Sequence, residues 1–143
     1  MQVIAFICND YLHKKDIDFH VAINIQIVAI KEWDQDFLSQ NWNVYLVNNR
    51  KDTVETVLVL SRGNNKDIKT STLRHGLGDI APMMSRKVEL ITDEVLGFTN
   101  EYLVTFFAEG KLFERSLVFE AHSIAEENRV HIPIMDSEGI IAT

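Results

Sequence analysis

The residue pattern predicts a mainly β protein, an antiparallel β-sandwich of immunoglobulin or fibronectin architecture with one short helix, and a small β-barrel as the alternative. Three observations lead there. Apolar and polar side chains alternate along most of the chain, turn-forming clusters recur at intervals of roughly ten residues, and no long stretch has the period of an amphipathic helix. A length of 143 residues suits one domain, 1–143, around one core.

From Phe19 to Ile27 the odd positions are apolar and several even ones polar, which predicts a half-buried strand. Val28 and Ile30 then take up the opposite parity, as a bulge or a strand passing between sheets would produce. The polar stretch from Trp33 to Gln40 reads as a loop or a turn of helix. Trp42, Val44 and Leu46 alternate up to the turn formers Asn48 to Asp52, and Val54 to Leu60 has the β-branched density of a central strand. After the turn-rich Arg62 to Asp67, the hydroxyls of Thr70, Ser71 and Thr72 predict the cap of a short helix through Leu73, Leu77 and Ile80. Gly76 and Gly78 weaken that helix and Pro82 closes it.

Strands are expected at Lys87–Thr92, Val95–Phe98, Glu101–Ala108 and Lys111–Glu120. Glu109-Gly110 is the strongest hairpin signal, because glycine supplies the positive φ of a tight turn. Arg115 interrupts the apolar parity of the return strand, so it is either restored to solvent by a bulge or turned inward to a carboxylate partner. Ser123 is placed to cap one helical turn ahead of Glu126. Pro133 marks Val130–Met135 as an edge strand or a strand end, and Ile140–Ala142 is a final short strand.

The net charge of -7 works against nucleic acid and anionic membrane surfaces as partners; Arg62, Lys66, Lys69 and Arg74 form the one region where a basic patch could gather. One cysteine, Cys8, excludes an internal disulfide and a four-thiolate zinc site. The apolar run Val3–Cys8 has no positive charge before it and no cleavage signal after it, and no stretch is long enough to span a bilayer. A cytoplasmic protein that meets no membrane is expected.

Chemistry finds no foothold in motifs. Phosphate-binding glycine loops and the nucleophile elbow are missing from the sequence, and its five histidines, His13, His20, His75, His122 and His131, are too scattered for metal-ligand spacing. Cys8 in its apolar run reads as a structural thiol, and His20 and His131 as solvent-facing strand residues. No catalytic residue, metal or cofactor is expected. Thr70, Thr72, Arg74 and His75 crowd hydroxyls, a guanidinium and an imidazole into one excursion, which makes them the candidate ligand site for an anionic metabolite. Trp33, in an acidic link, and Arg115 are the candidate partner surface; Trp42 reads as core.

Trp42-Asn43-Val44-Tyr45, Thr70-Ser71-Thr72-Leu73-Arg74-His75, Asp93-Glu94-Val95-Leu96, the run Phe106 to Phe113 and His131-Ile132-Pro133 carry a resemblance over about Val21 to Ala142. In these the chain resembles a group of short bacterial proteins, seen mainly in the Bacteroidetes, that often bear the name phenylalanyl-tRNA synthetase α subunit. The chain is too short for a class II synthetase core, and its acidity opposes tRNA binding. The expected function is a non-catalytic module that binds a protein partner or itself. A small-ligand domain for an anionic metabolite is the alternative, and an enzyme assembled from scattered residues is a third reading.

Overall fold

The computed structural model describes residues 19–143, so the expectations placed on Val3–Cys8 and His13 lie outside the described residues. The described strands are β1 (Phe19–Val21), β2 (Ile25–Trp33), β3 (Gln40–Asn48), β4 (Val54–Asn64), β5 (Leu73–Ile80), β6 (Ser85–Ile91), β7 (Thr99–Ala108), β8 (Lys111–Phe119), β9 (Val130–Ile132) and β10 (Ser137–Ile141). They form two five-stranded sheets: sheet A in the order β1-β8-β7-β4-β5, and sheet B in the order β6-β3-β2-β10-β9. The sheets pack face to face as a β-sandwich, and neither closes into a barrel.

The period-two pattern builds the core between them. Ile25, Ile27 and Ala29 of β2, Trp42, Val44 and Leu46 of β3, Val57 and Val59 of β4, Tyr102, Val104 and Phe106 of β7, and Phe113, Leu117 and Phe119 of β8 all point inward into one cluster. The β7–β8 turn has Glu109 at φ 54° and Gly110 at φ 70°, the two positive angles of a type I′ hairpin, as its sequence predicts.

Several expectations change. Phe19 to Ile27 is not one strand: β1 pairs in parallel with β8, Asn24 turns the chain at φ 58°, and Val21 and Ile23 are exposed. β2 contains no bulge, since it pairs with β3 residue by residue from Ile25 to Trp33. Its parity changes because both faces are buried. Val28 and Ile30 lie on the outer side of sheet B, under Ile132, Ile134 and Met135 of the C-terminal excursion.

The helix expected from Thr70 to Ile80 is strand β5. Gly76 and Gly78 deprive a helix of propensity, and the ladder with β4 gives the same backbone groups partners. Val95–Phe98 is a 3-10 turn and its exit, not a strand. A 3-10 turn does form at Glu126–Asn128, but its cap position is Ala125 and Ser123 does not cap it. β9 is an edge strand that ends at Pro133, as proline demands.

Candidate functional site: an edge cleft and an apolar hairpin tip

β5 and β6 are consecutive edge strands of opposite sheets, so the sandwich is open along the line between them. Four inward-facing polar side chains meet there. Ser61 of β4 and Tyr102 of β7 are cross-strand partners, His75 stands on β5, and Glu89 reaches over from β6. Ser61 Oγ donates to Glu89 Oε1 at 3.0 Å, His75 Nε2 faces the same oxygen at 3.0 Å, and Tyr102 OH donates to Glu89 Oε2 at 2.7 Å. The Glu89 side chain keeps 17% of its surface in solvent. Burial, followed by the charge and hydrogen bond of Glu89, pushes the Tyr102 phenol well up, so it stays a donor.

Ser61, His75 and Glu89 are residue types of a hydrolytic triad, but the geometry does not make one. A triad needs the carboxylate on one ring nitrogen and the hydroxyl on the other. Here Nε2 faces both, with Ser61 Oγ at 3.3 Å. Two acceptors cannot bond, so Nε2 carries its proton toward Glu89 and has no lone pair for the serine proton. The cluster is a carboxylate held by three donors.

Above it lies a cleft of about 310 Å³. Leu73, Leu90, Ile91 and Val95 give apolar walls, with Ser61, Glu89, Tyr102 and Asn100 beneath and Thr70, Ser71, Thr92 and Arg62 around the mouth. Arg62 is engaged by Glu101 at 2.8 Å. A cavity of about 430 Å³ on sheet A is lined by Val21, Leu60, Arg62, Leu103 and Arg115, among others.

At the same end of the sandwich the β2–β3 hairpin tip presents Trp33, Phe37 and Leu38 at 55%, 73% and 83% exposure. Asp34 organises the tip. Its backbone pairs with Ser39 and Phe37, and its carboxylate accepts the Leu38 amide at 3.0 Å and the Ser39 hydroxyl at 2.9 Å. These hydrogen bonds, the Leu38 amide first, hold the Asp34 carboxyl below the usual carboxylate range. Phe37 sits at φ 56°, a left-handed conformation that costs an L-residue roughly 1–2 kcal/mol.

The expected ligand residues are only partly gathered. His75 belongs to the cleft cluster, and Thr70 lies at the mouth, its hydroxyl accepting the Gly63 amide at 2.7 Å and donating to Ser71 O at 3.2 Å. Thr72 lines a smaller hollow of about 240 Å³ with Arg62 and Lys69. Arg74 alternates with His75 along β5 and so stands on the opposite face. Arg115 follows neither of its two expected courses: the β7–β8 register runs unbroken past it, and its guanidinium donates to the Ala22 carbonyl at 3.4 Å. Trp42 is core at 6% exposure. His131 is exposed, whereas His20 is half-buried with its ring 5.5 Å from Phe113.

Sequence reasoning missed Ser61, Glu89 and Tyr102. The available signal was polarity out of step: Ser61 and Glu89 both occupy apolar-parity positions of their strands, Ser61 after Val57 and Val59, and Glu89 before Ile91. Among the described residues no group of three His, Cys, Asp or Glu side chains is placed to hold a metal ion, and no helix is long and apolar enough to cross a membrane. No family model matches the chain, and no curated protein matches it.

Proposed function

We propose that this protein is a non-catalytic interaction module that engages a protein partner, or a second copy of itself, through the β2–β3 hairpin tip. One observation supports the reading above others: Trp33, Phe37 and Leu38 stand in solvent on a turn held in shape by four hydrogen bonds of Asp34. Burying a large apolar side chain is worth roughly 1.5–3 kcal/mol, so a tip that leaves three in water and also holds Phe37 in a left-handed conformation forgoes stability at a defined place. Asp34 and Asp36 between them suit an apolar recess with a basic rim.

The test is light scattering on the purified protein together with capture from host lysate. Wild type is expected to self-associate or to capture a partner, and Trp33→Ser/Phe37→Ser/Leu38→Ser to do neither while keeping its unfolding midpoint. A monomer that captures nothing, or a triple variant that behaves as wild type does, overturns the proposal.

A small-ligand domain is the second reading, and the cleft between β5 and β6 supports it, since its volume falls at the lower end of those of ligand pockets. An anionic ligand fits it poorly. His75 is spent on Glu89, Arg74 is on the other face, and the fixed charge beneath the cleft is negative. Thermal shift with a panel of metabolites tests this reading: a ligand at 100 times its dissociation constant adds about 2.7 kcal/mol.

A further inference from the structure

We infer that the cleft between β5 and β6 is a site for a small organic cation, a primary ammonium on an apolar body, recognised by Glu89. The inference rests on the second reading above and deepens it by naming the class of ligand. A carboxylate offers about four acceptor positions. Among the described residues Ser61 and His75 occupy Oε1 and Tyr102 occupies Oε2, which leaves one position on Oε2 for a further donor. The three protein donors come from three strands and fix the carboxylate, so a ligand meets a charge already in position.

The surroundings favour a cation with an apolar body. Among the described residues Arg62 is the other ionic group lining the cleft, and Glu101 engages it, so Arg62 does not cancel the charge of Glu89. Leu73, Leu90, Ile91 and Val95 supply a wall that a hydrated metal ion or a bare ammonium would leave unused, whereas an alkyl or aryl group on the amine would cover it.

The experiment is a two-dimensional amide NMR titration of the whole chain at mildly alkaline pH. The probes are phenethylammonium and, as its counterpart of opposite charge, phenylacetate. Phenethylammonium at millimolar concentration is expected to shift the amides of Leu73, Leu90, Ile91 and Val95 saturably, and phenylacetate to leave them unchanged. Glu89→Gln should weaken the binding at least tenfold. Because Glu89→Gln also alters the polar cluster, Leu73→Trp serves as a second variant that fills the cleft and leaves the carboxylate in place, and it should abolish the same shifts. Binding of phenylacetate instead overturns the charge assignment while leaving a ligand cleft. Silence from both probes removes the cleft as a site, and undiminished binding in either variant places the probe elsewhere; each overturns the inference.

Discussion

Arg50 shows how much one side chain can organise. Only 8% exposed, it lies over the rings of Phe113 and Phe106, with its guanidinium carbon 4.9 and 5.7 Å from their centroids. Its nitrogens donate to both Asp52 oxygens at 2.8 and 3.1 Å, to Glu109 at 3.1 Å and to the Ile23 carbonyl at 3.4 Å. These contacts tie three turns together at one end of the sandwich. Arg50→Ala should lower stability by about 2 kcal/mol, chiefly through lost stacking on two aromatic faces, since both carboxylates are partly exposed and screened. Arg50→Lys should lose about half as much, because an ammonium lacks the planar fork. Urea denaturation measures both, and an unchanged midpoint for Arg50→Ala would refute the account. The Arg50 hydrogen bond also holds Asp52 below the ordinary carboxylate value of 3.8. That contribution is therefore present above the ordinary value and lost as pH falls through the lowered one, so Arg50→Ala should flatten the acid limb of the stability curve.

Tyr45 titrates at the other extreme. Burial, then the hydrogen bond and charge of Glu32, pushes its phenol from 10.0 up to about 12. A raised value means stability is fully present below 10 and lost as pH rises toward about 12. Ultraviolet titration should find this late ionisation, and Tyr45→Phe should remove it; a normal phenol titration at Tyr45 would contradict the Glu32 contact. Asn48 is fully buried, and its amide donates to the carbonyls of Asp52, Ile80 and Ala81 and so fixes two turns. Nothing in Asn48-Asn49 as a string separates that role from an ordinary turn former, because the carbonyls it serves lie up to 33 residues away.

At the scale of elements, β5 is the most instructive. Its outer edge would leave carbonyls unpaired, and Arg86 of β6 donates to two of them, Leu77 O and Asp79 O, across the open side of the sandwich. Such a clamp blunts an edge that could otherwise template pairing with another chain. Arg86→Ala should speed amide exchange in β5 and raise the tendency to aggregate on heating, measured by hydrogen exchange and light scattering. Unaltered exchange would mean the clamp is dispensable. The reading of Thr70 to Ile80 as helix failed here for a physical reason: Leu73, Leu77 and Ile80 fit a helical face as well as an edge strand, and only the partner β4 decides between them. The β7–β8 hairpin was legible because its two turn residues fix their own backbone angles locally. β10 illustrates tightness. A Cβ on Gly139 would stand 2.7 Å from the Ala29 carbonyl and 2.8 Å from Ile132, so Gly139→Ala should cost about 1–3 kcal/mol in thermal unfolding.

For the whole molecule, pairings such as β4 with β7 and β2 with β10 join segments far apart in sequence. Folding should therefore take milliseconds to seconds, read by the fluorescence of buried Trp42 in a Trp33→Phe background. The candidate site was half legible. Trp33 was visible as an aromatic in an acidic link, and His75 as an imidazole in an odd context. Ser61, Glu89 and Tyr102 were not, because they come from three strands on two sheets and only packing assembles them. Taken alone, the residue order determined the β class, most strand positions, the Glu109-Gly110 turn and the acidic surface, since each follows from alternation, local backbone preference or charge count. The three-dimensional fold decided which strands share a sheet, that β2 is buried on both faces, and that three donors converge on Glu89. Those outcomes depend on contacts between distant segments, and a linear pattern of side chains carries no distance.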